Sequence, residues 1–425
     1  PYARGERLPL YLWPAMAPTG LDDARAEELV RLMDERGVAV VVNWNAGALE
    51  QTLKDCLPIA RAQKKLGLLI NVSATSLMSS FYDGSPETAH LDADGKPFFD
   101  ESFGTKTMGC PFRLEQRVAP LRDRMNMFLE AYAKEDLPVG FIFSDWEVDG
   151  PLEWNHALDA SKRCTVCKEH VPDLETNFLA YQFALRSLRA EVQRRVFAEP
   201  VRAHFPGALV CNYGEAPTNG WRHWYDYFEH YLPGQPALAE QQAHYRHWPN
   251  LFAATRYTFA MPVIYPWSWT WNWYDVQPGD YRWFYSGLKE FSSVAENTPA
   301  TTPLIPFVHY TTVDVGRSEV DGAPKDQGEA AQQMSVKTYQ ELLWHLLLRG
   351  ADTFYLWCSA QDDAAEVPAL WPVYAESLKY SQYFKQGTPC TYEIAAKPGV
   401  VVSAIRLDKK VLVRRSDFGD RPFLT

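Results

Sequence analysis

Residues 139–147 read Val-Gly-Phe-Ile-Phe-Ser-Asp-Trp-Glu, a short apolar run that ends abruptly in two carboxylates. A run of this length, rich in β-branched and aromatic residues, predicts a buried strand. Because successive side chains of a strand point to opposite sides, Asp145 and Glu147 should lie on one side and Trp146 on the other. The sequence therefore predicts a buried strand with a pair of acids at its carboxyl end.

Similar apolar runs recur along the chain, and amphipathic helical patterns separate them. The predicted strands are residues 8–13, 38–43, 68–72, 139–145, 208–213, 261–265, 304–310 and 353–358. The predicted helices are residues 22–36, 48–65, 114–133, 174–205, 281–296, 327–349 and 371–384. This alternation predicts an α/β fold, with parallel strands closed into a (β/α)8 TIM barrel. A doubly wound open sheet is the competing fold, but the turn at 14–18 lacks its glycine fingerprint.

The last part of the chain changes character. Residues 399–407 and 409–415 alternate between apolar and polar side chains, as a β-hairpin does. We therefore predict a barrel domain over residues 1–388 and a small β appendage over residues 389–425. Two strand-to-helix connections, 73–111 and 146–173, are long, and both leave the carboxyl ends of strands, where barrel active sites lie.

Composition narrows the class of protein. The formal net charge of −11 over 425 residues argues against a nucleic-acid surface, and no apolar run is long enough to span a membrane. The chain holds 15 Trp and 22 Tyr. Because a buried Trp needs a partner for its N–H, such a surplus suits a groove that stacks against sugar rings. We expect a carbohydrate partner and a secreted or periplasmic protein, although no signal peptide is visible.

The acid pair itself points to hydrolysis of a glycosidic bond. Two carboxylates this close repel, so one should hold its proton near neutral pH, as a general acid must. Conventional glycosidases hold their carboxyls ~5–9 Å apart across the scissile bond. Neighbouring positions on one side of a strand fit substrate-assisted retention, in which the acetamido oxygen of the sugar attacks. A conventional nucleophile (Asp149, Glu153 or Glu215) and a pair of solvated loop acids are the alternatives.

Several segments resemble the hyaluronidase family of glycoside hydrolases. They are Ser-Asp-Trp-Glu at 144–147, Cys-Asn-Tyr-Gly-Glu-Ala-Pro at 211–217, Ile-Tyr-Pro-Trp-Ser at 264–268 and Gly-Ala-Asp-Thr-Phe-Tyr-Leu-Trp-Cys-Ser at 350–359. The resemblance implies a retaining, substrate-assisted enzyme that cleaves β-N-acetylhexosaminide linkages. It implies Glu147 as acid/base, Asp145 as the carboxylate that positions the acetamide, Tyr213 and Tyr265 as hydroxyls near it, and Trp357 as a wall of the sugar subsite.

Other side chains are predicted to bind substrate. Aromatic residues alternate after the sixth strand, so Trp267, Trp269 and Trp271 would share one side of an extended chain; an internal packing cluster is the alternative. Predicted hydroxyl-binding groups at the carboxyl ends of other strands are Asn43, Glu215, His309 and Tyr310. His309, Tyr213 and Tyr265 could equally be core residues.

No cofactor or metal site is predicted. Cys164 and Cys167 form a lone CxxC motif, which leaves a disulfide and half a zinc site open, but no second CxxC or HxxxH complements it. A metal-dependent deacetylase would also need His-x-His after the first strand, which this chain lacks. A non-catalytic carbohydrate-binding barrel remains an alternative to the enzyme.

Overall fold

The computed structural model describes residues 7–78, 84–100, 108–113, 115–146, 156–217, 249–267, 279–313, 332–358, 363–395, 397–419, 421 and 424. Its strands are β1 (Tyr11–Leu12), β2 (Val41–Asn43), β3 (Ile70–Ser73), β4 (His90–Leu91), β5 (Pro97–Phe98), β6 (Val139–Ser144), β7 (Leu209–Asn212), β8 (Val263–Ile264), β9 (Phe307–Val308), β10 (Tyr355–Leu356), β11 (Thr388–Pro389), β12 (Val400–Leu407) and β13 (Lys410–Asp417). Its helices are α1 (Asp23–Asp34), α2 (Leu49–Lys65), α3 (Thr75–Met78), α4 (Glu115–Lys134), α5 (His156–Arg163), α6 (Thr165–His170), α7 (Phe178–Gln193), α8 (Glu199–His204), α9 (Pro249–Thr255), α10 (Asp280–Asn297), α11 (Val336–Leu348), α12 (Asp363–Ser377) and α13 (Ser381–Gln386).

Each of the eight predicted strands contains an observed strand, and all eight pair in parallel. They form two four-stranded sheets, in the orders β2-β3-β6-β7 and β1-β10-β9-β8. Parallel bridges from Leu10 to Val38 and from Met16 to Val42 join the two sheets beside β1 and β2. At the opposite edges of the two sheets, which are formed by β7 and β8, the Thr258 amide donates to the Val210 carbonyl at 3.0 Å. The architecture is α/β with parallel sheets, and closure into one (β/α)8 barrel stays a prediction.

Aromatic rings fill the space that these strands enclose. Phe141 stacks on Tyr11 at 4.0 Å between ring centroids, and Phe143 lies 4.6 Å from Tyr355. Phe307 meets Tyr355 edge-on at 5.0 Å. All five rings are fully buried. The interior is therefore a packed core, as in TIM barrels, and a site has room only at its ends.

The helices begin and end largely as their sequences indicate. The Asp22 side chain caps α1 by accepting from the Arg25 amide at 2.8 Å, and Ser335 caps α11 in the same way. The predicted helix 371–384 is wrong at its start, because α12 already begins at Asp363. That helix accommodates Pro368 and Pro372, which interrupt the helical pattern in the sequence.

Within the described residues, no helix is both long and apolar enough to cross a membrane.

The predicted C-terminal hairpin is present as β12 and β13, which pair antiparallel, with β11 added at one edge. Side chains of α11 hold it in place. His345 contacts the hydroxyls of Ser403 and Ser416 at 2.7 and 2.9 Å, and Arg349 donates to Ser403 at 2.8 Å. The hairpin therefore packs directly on the helical layer, and the division into residues 1–388 and 389–425 stays a prediction.

Candidate functional site

Asp145 follows directly after β6, two residues beyond the buried ring of Phe143. The alternation that turns Phe141 and Phe143 into the interior directs Asp145 to the next layer, at the carboxyl end. Its amide donates to the Thr75 hydroxyl at 2.8 Å, and its side chain is half-buried. Burial, and then the negative charge of Asp145, hold the pKa of Tyr355 well above its usual range. The Asp145 carboxylate therefore acts on the hydroxyl end of Tyr355, in β10.

Asn212, the last residue of β7, fixes the backbone that follows Asp145. Its side-chain oxygen accepts from the Trp146 amide at 2.9 Å, and its side-chain nitrogen donates to the Trp146 carbonyl at 2.8 Å. Asn212 is fully buried. The sequence analysis did not identify this residue, because nothing in the sequence pairs an amide on one strand with the backbone of another.

Five of the predicted site residues form one aromatic cluster, which comprises Tyr213, Tyr265, Trp267, His309 and Trp357. Tyr265 is central, with ring centroids 5.2 Å from Trp267, 5.5 Å from His309, 6.1 Å from Trp357 and 6.4 Å from Tyr213. His309 and Trp357 come two residues after Phe307 and Tyr355, so the cluster lies one layer above the packed interior. Trp267 and Trp357 are half-buried, as a wall facing a cleft would be.

A buried carboxylate lies beside the histidine of the aromatic cluster. The Trp267 indole donates to Nδ1 of His309 at 3.2 Å, so the neutral ring carries its proton on Nε2. That nitrogen lies 3.1 Å from the carboxylate of Glu366, which is fully buried and accepts from the amides of Tyr310 and Thr311 at 2.7 Å. Glu366 was not predicted as a site residue, because a single acid in a helical pattern is usually interpreted as a solvated side chain.

The side chains of two other predicted binding residues, Tyr310 and Asn43, lie outside the aromatic cluster. The Tyr310 ring packs on Tyr339 of α11, at 5.3 Å between centroids. Asn43 is half-buried, and its backbone carbonyl accepts from the Cys56 thiol at 3.7 Å.

Glu215 is buried, with its carboxylate turned toward α7. It forms an ion pair with Arg189 and accepts from the side chain of Gln193 at 2.8 Å. The other predicted site residues, Glu147, Trp269 and Trp271, lie outside the described residues.

A second group of chemically capable side chains lies apart from the aromatic cluster. It comprises His90, Cys110, Cys164 and Cys167, whose potential ligand atoms all lie within 4.8 Å of one another. Only the CxxC half of this group is recognisable in the sequence, where no second CxxC or HxxxH complements it. The partners are instead one histidine and one cysteine from the long connection after β3, a pattern too sparse to read from spacing.

No protein-family model and no curated protein matches the sequence. Solved structures do match. A β-galactosidase from the Antarctic haloarchaeon Halorubrum lacusprofundi superposes with a TM-score of 0.53 at 11% identity, over 88% of this chain and 58% of that one. The chain thus spans little more than half of that enzyme. The similarity shows a fold shared with this glycoside hydrolase.

Two further solved structures match less closely. Bee venom hyaluronidase gives a TM-score of 0.40 at 12% identity, over 79% of this chain and 99% of that one. The α-L-fucosidase isoenzyme 2 of Paenibacillus thiaminolyticus gives 0.47 at 12% identity, over 90% of this chain and 51% of that one. The resemblance to the hyaluronidase family therefore stays a prediction.

Proposed function

We propose that this protein is a glycoside hydrolase with its active site at the carboxyl end of the parallel strands. The observation that carries the proposal is the position of Asp145, directly after the carboxyl end of the buried strand β6, where its amide donates to the Thr75 hydroxyl. In barrel enzymes the acids at this end of the strands are the catalytic ones. The shared fold with a β-galactosidase supports the same class of reaction.

The acid pair is assigned to substrate-assisted retention of a β-N-acetylhexosaminide. The acetamido oxygen of the sugar attacks the anomeric carbon while the bond to the leaving oxygen breaks, and Glu147 gives that oxygen a proton. Asp145 holds the acetamide N–H and balances the positive charge of the oxazolinium ring. Water, deprotonated by Glu147, then opens the ring, so the product keeps the starting configuration.

The environment of Glu215 supports this assignment over a conventional nucleophile at that position. Its carboxylate is engaged by Arg189 and Gln193 beneath the helical layer. A nucleophile must reach the anomeric carbon to within about 3–3.5 Å. Reaching a sugar at the strand ends would require breaking a buried ion pair, which costs roughly 3–5 kcal/mol.

The aromatic cluster is assigned to the sugar subsite. The half-buried rings of Trp267 and Trp357 offer apolar faces to a pyranose, and the hydroxyls of Tyr213 and Tyr265 are suited to polar contacts with it. The hydrogen bond from the Trp267 indole to Nδ1 holds the His309 ring beside these tryptophans. A cleft with apolar walls and few fixed polar groups is typical of small-ligand sites.

The test is a screen of the purified protein against glycans with and without 2-acetamido groups, followed by NMR analysis of the product anomer. We expect turnover of 2-acetamido substrates with retention. Glu147→Gln should lower turnover by ~10²–10⁴-fold, while Glu169→Gln, an exposed acid after the same strand, should not. Tight glycan binding with no turnover by the wild-type protein would instead identify a carbohydrate-binding barrel.

A further inference from the structure

Three thiols and one imidazole meet in a buried cluster that the proposed hydrolase chemistry does not use. Cys110, Cys164 and Cys167 are fully buried, and His90 is 1% exposed. The Cys110 and Cys167 sulfurs are 3.5 Å apart, and the Cys167 sulfur lies 3.8 Å from Nδ1 of His90. All four potential ligand atoms lie within 4.8 Å of one another. Four soft or borderline donors therefore surround one point.

The spacing of these atoms matches a tetrahedral zinc site. Zinc binds thiolate sulfur at about 2.3 Å and imidazole nitrogen at about 2.0–2.1 Å, so the edges of its tetrahedron are roughly 3.4–3.8 Å. The Cys110–Cys167 sulfur separation of 3.5 Å and the Cys167–His90 separation of 3.8 Å fall in that range. A disulfide would bring two sulfurs to about 2.05 Å, and all seven cysteines are free thiols. We infer that His90, Cys110, Cys164 and Cys167 bind a structural Zn²⁺ ion.

Backbone contacts set the ligands in place from both sides. The Cys110 amide donates to the Thr88 carbonyl at 2.9 Å, and Arg117 donates to the Cys110 carbonyl at 2.5 Å. Gly109 is required next to Cys110, because a Cβ atom there would lie 1.9 Å from the Thr88 oxygen. The Thr165 hydroxyl donates to the Leu91 carbonyl at 3.3 Å and ties the CxxC segment to β4. The protein thus holds the ligands together through contacts that do not involve the metal.

The surroundings indicate a structural site and not a catalytic one. His90 stacks on Phe98 at 5.1 Å, and the guanidinium of Arg163 covers the Phe98 ring at 4.7 Å. The three cysteines belong to a separate hydrophobic cluster with Leu158, Val171, Leu174, Tyr181 and Leu185. Four protein ligands and a buried apolar shell leave no open position for water, which is the arrangement of structural zinc sites.

The ion would join two segments that leave neighbouring strands of the same sheet. His90 and Cys110 lie between β3 and α4, and Cys164 and Cys167 lie between β6 and α7. Asp145 begins the second of these segments. A zinc ion would therefore cross-link the connections that follow β3 and β6, and so help to fix the carboxyl end on which the proposed active site lies.

The test is the metal content of the full chain, purified without chelators and measured by inductively coupled plasma mass spectrometry. We expect one zinc ion per chain. Exchange of that zinc for Co²⁺ should give the visible bands of a tetrahedral site and strong thiolate-to-cobalt charge-transfer absorption. A chain without stoichiometric metal after growth with zinc, or a mass that shows a disulfide among these cysteines, would overturn the inference.

Variants localise the ion. Cys164→Ser and Cys110→Ser should each reduce bound zinc at least tenfold, whereas Cys56→Ser, a buried lone thiol, and Cys390→Ser, an exposed one, should keep it. If the ligand variants do not fold, chelation of the wild-type protein decides the question. Removal of zinc should speed hydrogen exchange in residues 84–100 and 156–177 more than in residues 336–348. Equal exchange in both regions, or zinc retained by the two ligand variants, would contradict the assignment.

Discussion

The side-chain amide of Asn212 bonds both backbone polar groups of Trp146, the residue between the two acids of the proposed catalytic pair. This contact joins the ends of β6 and β7 through a side chain with no exposed surface. It gives the peptide between Asp145 and Glu147 one orientation. We therefore propose that Asn212 is a positioning residue, which acts on the proposed catalytic acids through the backbone of Trp146.

Asn212→Ala should lower kcat by about 100-fold and change KM little, because small displacements of catalytic groups cost that much. It should also lower the free energy of unfolding by roughly 1–3 kcal/mol, since the Trp146 amide loses its partner. Steady-state kinetics and urea unfolding measure the two effects. Asn297→Ala, which removes one side-chain contact to the Ser293 carbonyl at the end of α10, is the control. An unchanged kcat per folded molecule would reduce Asn212 to a structural residue.

Asp145→Asn should lower turnover by about 100- to 1,000-fold, because an amide cannot balance the charge of the oxazolinium ring. A thiazoline mimic of that ring should inhibit the wild-type enzyme more strongly than substrate binds. Asp173→Asn, an exposed acid on the same connection, is the matched control. Mass spectrometry after treatment with a fluorosugar should find no labelled carboxylate. A labelled carboxylate together with indifference to thiazoline would move the enzyme to the conventional retaining class.

Trp357→Ala should weaken the binding of an oligosaccharide about tenfold, the equivalent of about 1.4 kcal/mol, because it removes one wall of the aromatic cluster. Titration calorimetry with the Glu147→Gln variant measures this binding without turnover. Trp371→Ala is a suitable control, since that half-buried indole bonds the Arg36 carbonyl on the helical layer. A large fall in melting temperature with unchanged affinity would mean that Trp357 only packs the carboxyl end of the strands.

Glu215→Gln should lower the free energy of unfolding by roughly 3–5 kcal/mol, because it breaks the buried ion pair with Arg189. The folded fraction should keep most of its turnover. The control is Glu191→Gln, which removes an exposed acid that pairs with Arg195 and should change stability by less than about 0.5 kcal/mol. Loss of turnover at unchanged stability would instead favour Glu215 as a nucleophile.

His345 makes the protein less stable in acid. The pKa of His345 is lowered from 6.5 to about 3. Burial is the largest cause, followed by the charge of Arg349; Arg414 also lowers the pKa, and Glu341 opposes the shift. The unfolded chain therefore takes up a proton below about pH 6.5 that the folded chain refuses until about pH 3. The contribution of the neutral His345 ring to the free energy of unfolding is fully present above pH 6.5. It is lost as the pH falls toward 3.

The loss between pH 7 and pH 5 should be about 2 kcal/mol. Urea unfolding at the two pH values measures it. His345→Gln should remove this share of the pH dependence, while His170→Gln, on the surface, should leave it unchanged. An identical pH dependence in His345→Gln and the wild-type protein would show that another group is responsible.

The parallel strands were predictable because a buried strand is a local signal. Four apolar residues and a glycine at 139–143 mark β6 in the sequence. Asp145, His309 and Trp357 could be predicted at the carboxyl end because each lies near the end of its predicted strand. The start of α12 was not predictable, because its two prolines argue against a helix and only tertiary packing overrides them.

The partners of the site residues were not predictable, since they depend on contacts between distant segments. Glu366 lies more than 50 residues beyond the amides that it accepts from, and Asn212 is 66 residues from Trp146. The thiol–imidazole cluster is the same case: Cys167 is 77 residues from His90 and 57 from Cys110. A sequence motif shows only Cys164 and Cys167, which lie at and within the first turn of one short helix.

The pairing of β1 with β10 has a consequence for how the chain folds. The Thr353 hydroxyl donates to the Pro9 carbonyl across 344 residues, and the Arg7 guanidinium reaches the Asp352 carbonyl at 2.6 Å across 345. A ribosome must therefore deliver almost all of the strands before β1 can pair with β10, although the bridges to Val38 and Val42 can form early. Until then β1 offers an unpaired edge, and such long-range pairing is intrinsically slow. Early in synthesis, the sheet β2-β3-β6-β7 is the unit that can assemble first, and it is the one that carries Asp145.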